Sequence, residues 1–168
     1  MNLIQIKGNT WVLEGVEYIP LYKLDESRCV LLDTGLPEEQ EELERTLSTA
    51  GLTPVGVLCS HAHLDHCANN RRIQEKYGAE IALTFPEAGM CSSLLTLKCY
   101  FLTLSPGTVE RESSCMIHKP DRFIPPSDGP FTLGGVEFQI IQTPGHSAGH
   151  ICTVTPDNVC YTADALLS

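Results

Sequence analysis

An α/β fold is predicted by three features of this sequence. Short apolar runs rich in β-branched and aromatic residues recur along it, as strands do. Helical segments with start and stop signals alternate with those runs over the first half. Loops dense in histidine and glycine come directly after predicted strands, where α/β sheets place their ligand sites.

The elements follow in order. Leu3–Ile6, Trp11–Leu13, Tyr18–Leu24 and Cys29–Leu32 read as strands, and Asp33-Thr34-Gly35 ends the last of them. Pro37 suits the first turn of a helix, and Glu38, Glu39, Glu41 and Glu42 lie near its positive end. Leu43, Leu47 and Ala50 recur at helical spacing before Gly51 stops the run. Val55–Cys59 is the next strand. The spacing after it predicts one helix from about Asp65 to Tyr77, stopped by Gly78, and then a strand over Glu80–Thr84. Gly134-Gly135 between Phe131–Leu133 and Val136–Gln142 signals a hairpin. A second hairpin is expected from His150–Thr155 and Val159–Ala163 around Pro156-Asp157-Asn158.

Residues from about Pro86 to Asp128 are expected to be an insertion and lid. The apolar positions from Leu94 to Leu104 fit either a buried helix or a strand pair. No linker divides the chain, so residues 1–168 read as a single domain with an insertion at about 86–128. The length agrees, since domains run to roughly 100–200 residues.

Composition excludes several function classes. With 21 Asp+Glu against 11 Lys+Arg, the net charge is −10. Such a chain lacks the clustered cations that phosphate contacts need, so no nucleic-acid partner is expected. No apolar run approaches the roughly 20 residues of a membrane span, so no membrane partner is expected either. No export signal is visible, and the eight cysteines are scattered. Reduced thiols and a cytoplasmic location follow as expectations. Cys91, Cys99, Cys115 and His118 lack the paired spacing of a structural zinc site and read as ordinary thiols and a lone histidine.

Chemistry concentrates in three places. Ser60-His61-Ala62-His63-Leu64-Asp65-His66 sets four metal-capable side chains at a strand-to-helix junction. His61 and His63 point to the same side in extended backbone. Adjacent Asp65 and His66 cannot both face one point from regular structure, so the stretch suits two neighbouring metals. Neutral imidazole and carboxylate are the usual ligands of catalytic zinc. In Thr143-Pro144-Gly145-His146-Ser147-Ala148-Gly149-His150, His146 reads as well as a loop histidine bonded to backbone as it does as a ligand. His150 reads better as a packed histidine behind the ligands. Asp164, after the apolar strand at Tyr161, fits either a carboxylate bridging two cations or a helix N-cap.

The succession of VLLDTG, HAHLDH, TPGHSAGH and YTADAL resembles the metallo-β-lactamase fold hydrolases, most nearly the hydroxyacylglutathione hydrolase-like branch. The likeness runs from about Val30 to Leu166, with 86–128 outside it. It implies a four-layer αββα sandwich with the site along one edge between the sheets, incomplete here in its C-terminal half. It implies His61, His63 and His146 on one metal, Asp65 and His66 on a second, and Asp164 bridging the two. Asp33 corresponds to a strand-end aspartate that stands behind the ligands. Two departures are mild: Cys67-Ala68-Asn69-Asn70 follows the HAHLDH motif where small residues are usual, and Ala163 stands for a glycine. The family continues to one further histidine, whereas all six of this chain's are placed by His118 and the five above. A truncated form is therefore expected.

The implied activity is hydrolysis of an ester, thioester or lactone carbonyl by the hydroxide of a binuclear centre, with Asp65 orienting it or relaying a proton. Two zinc ions per chain are the expected cofactor, and iron or manganese fits the same ligands. The expected partner is a small-molecule substrate. A rival expectation is a catalytically impaired metal-binding or interaction protein that keeps the fold. An uncovered sheet edge would then favour a homo-oligomer or domain swap.

Overall fold

A computed structural model describes residues 1–166. Its first sheet holds seven strands in sequential order: β1 (Asn2–Lys7), β2 (Thr10–Glu14), β3 (Tyr18–Lys23), β4 (Arg28–Leu32), β5 (Thr53–Leu58), β6 (Glu80–Thr84) and β7 (Arg122–Ile124). β1 to β4 pair antiparallel, and β4 to β7 pair parallel. The parallel crossovers carry α1 (Gln40–Thr49), α2 (Leu64–Cys67) and α3 (Asn70–Tyr77), then α4 (Phe85–Met90), α5 (Leu94–Tyr100) and α6 (Pro106–Ser113). The second sheet is antiparallel, with β8 (Gly129–Leu133), β9 (Val136–Gln142), β10 (Ile151–Val154) and β11 (Cys160–Tyr161) in the spatial order β11-β10-β9-β8.

Strand alternation builds two cores. Along β4, Cys29 and Leu31 join the apolar cluster under the helices, with Leu43 and Leu47 of α1. Val30 and Leu32 point the other way and meet Phe131, Leu133, Phe138 and Ile140 of the second sheet. A strand buried on both faces needs the continuous apolar run seen there. Pro130, Thr132, Glu137 and Gln139 face outward and are exposed. No helix among the described residues covers that face. Three layers of the expected αββα arrangement are therefore present: helices, first sheet and second sheet.

Gly134 and Gly135 take φ of 62° and 82°, and Leu133 pairs with Val136. This is the two-residue turn with both φ positive that glycine permits without steric cost. The second hairpin is shorter than expected, and Ala163 lies beyond its strand in a 3₁₀ turn.

The single helix expected over 65–77 is instead two. Asn69, 1% exposed, breaks it: its Nδ2 donates to the carbonyls of Thr34 and Leu36 at 2.8 Å. Thr34 Oγ1 in turn donates to Asn70 Oδ1 at 2.9 Å. Turning both amide side chains onto the loop after β4 takes precedence over an unbroken helical ladder.

The 86–128 stretch contains three helices and β7. Its Leu94–Leu104 part is helix α5 and a following turn, not a strand pair. Ala88, Cys91, Leu97, Val109 and Met116 from this stretch enter the core under the helices. Cys67 packs there too, its sulfur 4.0 Å from Cys91 Sγ, as a small buried helix residue does. None of the helices is long and apolar enough among the described residues to cross a membrane.

Candidate metal centre

The parallel strands β4, β5 and β6 end along one edge of the first sheet. Asp33 follows β4, Ser60–His66 follow β5, and Glu87 lies in α4 just after β6. The second sheet contributes the loop after β9, with His146, and the turn after β11, with Asp164.

Two groups of potential ligands converge at that edge. Ligand atoms of His61, His63, His146 and Asp164 all lie within 4.8 Å of one another, and so do those of Asp65, His66 and Asp164. Asp164 stands between the groups. Its Oδ2 is 3.1 Å from His146 Nε2 and 3.9 Å from His61 Nε2, while its Oδ1 is 3.4 Å from His66 Nε2. Asp65 Oδ2 reaches His66 Nε2 at 3.6 Å. Of the readings open for Asp164, the N-cap is not adopted: Thr162 occupies that position, and Asp164 sits inside the 3₁₀ turn. Cys91, Cys99, Cys115 and His118 form no such group among the described residues.

The imidazoles are held from behind. Asp33, 2% exposed, accepts from Ser60 N and Ser60 Oγ at 2.6 Å each, and from Tyr161 Oη at 2.7 Å. The same carboxylate lies 2.8 Å from His66 Nδ1. Ser60 Oγ is also 2.9 Å from His61 Nδ1. His150 is fully buried, with Nδ1 held by Thr143 Oγ1 at 2.8 Å. It faces His61 across 4.9 Å between ring centres. Asp33 adopts φ of 68°, a left-handed conformation costly for a residue with a Cβ. The four donors on its carboxylate hold it there.

Charge follows from this packing. Burial drives the His61 imidazole down to about 2, keeping it neutral. Burial alone would also lower His66. The hydrogen bond and charge of Asp33, with Asp65 and Asp164 nearby, reverse that and raise it to about 9. Tyr161 is pushed well above the usual phenol range by burial and by Asp33, so it remains a donor.

One feature singles the cluster out. The Nε2 atoms of His61, His66 and His150 are buried and have no hydrogen-bond partner. Buried polar atoms are nearly always paired, and an unpaired one costs roughly 1–3 kcal/mol. The His61 and His66 nitrogens lie with carboxylates in the two ligand groups, a donor set that fits divalent cations of the zinc, iron or manganese type.

Three contributors to the site were not singled out from the sequence. Glu87, 2% exposed, accepts from Ala62 N at 2.8 Å, Gly149 N at 2.7 Å and Ser147 Oγ at 2.8 Å. It ties the HAHLDH loop to the TPGHSAGH loop. A Cβ on Gly149 would overlap Thr84 Oγ1, so only glycine passes there. Tyr100, at the end of α5, is hydrogen-bonded to His63 Nε2. Tyr161 closes the Asp33 network from the second sheet.

Two stacked sheets, helices outside one of them, and imidazoles and carboxylates gathered at their common edge define the class of metal-binding αββα sandwiches. The chain belongs to the metallo-beta-lactamase superfamily, whose family model matches residues 7–168. It is 30% identical over 133 residues to a hydroxyacylglutathione hydrolase of Chelativorans sp. (strain BNC1), covering 79% of this chain and 41% of that protein. It is 24% identical over 136 residues to the probable metallo-hydrolase YqgX of Bacillus subtilis (strain 168), covering 81% and 59%. The chain thus spans about half the length of these relatives. Among solved structures, the BLEG-1 B3 metallo-beta-lactamase superposes with a TM-score of 0.70 at 21% identity, covering 99% of this chain and 73% of that one. A beta-lactamase from Chitinophaga pinensis gives 0.73 at 20% identity, covering 90% and 56%. These likenesses show the fold.

Proposed function

We propose that this chain is a metal-dependent hydrolase of small ester, thioester or lactone substrates, working through a two-metal centre. The observation that carries the reading is Asp164. Its two oxygens face two separate groups of ligand atoms, beside buried imidazole nitrogens that nothing else satisfies. His61, His63 and His146 would hold one cation, Asp65 and His66 the second, and Asp164 both. Zinc is the first choice for this donor set, and iron or manganese would serve. Such cations supply Lewis acidity for a carbonyl oxygen and a water made acidic enough to ionise near neutrality.

The chain's own residues set the rest. Ser60 and Asp33 orient His61 and His66 so that each turns Nε2 toward the centre. Asp65 has a side chain 37% exposed and keeps an oxygen close to His66, so its carboxylate can take a proton from water and pass it to the solvent side. No serine or cysteine nucleophile is required. The similarity to hydroxyacylglutathione hydrolases favours thioesters within the substrate class.

A second reading has its own support. The Asp65–His66–Asp164 group offers three residues against four in the other group. A chain that filled only the richer group would be a metal-binding protein with impaired catalysis. Elemental analysis of intact purified protein, paired with an ester and thioester screen, separates the two. Close to two metals per chain with turnover supports the hydrolase. One metal without turnover favours the second reading, and none at all refutes both.

A further inference from the structure

We propose that Tyr100 is a positioning residue that fixes the orientation and tautomer of His63, turning its Nδ1 toward the metal centre. The inference rests on the metal-centre reading above and adds a residue to it.

Every other well-anchored imidazole of the cluster is gripped at Nδ1, leaving Nε2 without a hydrogen bond: His61 by Ser60, His66 by Asp33 and His150 by Thr143. His63 is reversed. Its Nδ1 faces His146 Nε2 at 2.8 Å, and its Nε2 points outward to the Tyr100 hydroxyl. A neutral imidazole carries a proton on only one ring nitrogen. For Nδ1 to offer a lone pair beside His146, the proton must sit on Nε2. The Tyr100 hydroxyl can accept that Nε2–H while donating its own proton elsewhere, and in this way it supports the tautomer with Nδ1 free, as the outer partners of metal-binding histidines do. The two rings lie 5.5 Å apart between centres.

Tyr100 is itself held in place. Helix α5 starts on Ser93, whose Oγ accepts from Thr96 N at 3.2 Å. Leu97, fully buried, pins its inner face in the core. Lys98 Nζ donates to the carbonyls of Phe101 at 3.4 Å and Leu102 at 3.2 Å, closing the helix end just beyond Tyr100. His63, by contrast, is half-buried, and no other hydrogen bond grips its outer nitrogen among the described residues. Of the two groups, only the one containing His63 depends on Tyr100.

The test compares the full chain with Tyr100→Phe, and with Leu95→Ala as a control on the same helix. Leu95 is 73% exposed and Tyr100 46%, so both variants fold. Histidine tautomers are read by long-range nitrogen–proton NMR on metal-free protein, and zinc affinity by chelator competition. In the starting protein His63 shows the Nε2–H form. Tyr100→Phe is expected to give a mixture of tautomers and to weaken zinc binding at one site by about 10–100-fold. Leu95→Ala is expected to change neither. An unchanged His63 tautomer in Tyr100→Phe overturns the proposal, as does an equal loss in Leu95→Ala. If the starting protein binds no zinc, the metal-centre reading fails, while the tautomer comparison still decides the role of Tyr100.

Discussion

Removing the Glu87 carboxylate should loosen both ligand loops at once. Replacement by alanine takes an acceptor from two backbone amides and one hydroxyl, and the side chain it removes is 2% exposed. An unpaired buried donor costs about 1–3 kcal/mol, so the amides of Ala62 and Gly149 together cost about 4 kcal/mol. The cavity left by the side chain adds to this. Relief from holding a desolvated carboxylate subtracts from it. A net loss of about 3–4 kcal/mol is expected. With a denaturant slope of about 2 kcal/mol per molar urea, the midpoint falls by roughly 1.5–2 M. Glu87→Gln keeps the shape but turns an NH₂ toward a donor, and should lose about 2 kcal/mol. The assay is urea unfolding of metal-free protein followed by circular dichroism, with the slope checked for constancy. A loss under about 1 kcal/mol for Glu87→Ala would show that water or another group satisfies those amides, and would falsify the strut role.

Other outcomes follow from the same geometry. Asp164→Ala should bind at least one metal fewer per chain after dialysis against zinc; undiminished content would exclude the shared carboxylate. Gly149→Ala forces a Cβ against Thr84 Oγ1 and should cost about 1–3 kcal/mol by thermal melting, and an unchanged melt would mean the backbone yields there. Phe138→Ala, at a fully buried ring between the sheets, should cost about 3–5 kcal/mol in urea; a loss below 1 kcal/mol would contradict a packed interlayer core. Zinc at about 1,000 times its dissociation constant should stabilise the metal-free protein by about 4 kcal/mol, or roughly 8–16 °C. EDTA should reverse that shift, and no shift would count against a ligand set formed in the native state alone.

What could be read from the sequence was local. Cys29–Leu32 is apolar at every position, and only a strand covered on both faces requires that. Gly134-Gly135 announced its turn because two successive positive φ values need glycine. The HAHLDH, TPGHSAGH and YTADAL motifs drew attention to the histidines and Asp164, and the structure brings them to one edge. Glu87, Tyr100 and Tyr161 stayed hidden because their partners are remote: Glu87 and Ala62 are 25 positions apart, and Tyr161 and Asp33 are 128. One clue was present for Glu87. It stands in the first turn after a parallel strand, on the sheet edge that already carried Asp33 and His61. The break at Asn69 was equally invisible, since helical spacing says nothing of a loop 35 residues earlier that claims the amide.

The Asp33 network also sets an order of assembly. The seven-stranded sheet joins neighbours in sequence throughout, so it can form as the chain emerges from synthesis. Asp33, Ser60 and His66 are present early, but the Tyr161 donor and the Asp164 carboxylate arrive some hundred residues later. Until then the left-handed backbone at Asp33 lacks one of its four restraints, and the imidazoles lack their shared counter-charge. On the two-metal reading, metal capture by the nascent chain would wait on the docking of β11. A folding intermediate with the first sheet formed and the second undocked would display the histidine motif without holding a cation firmly.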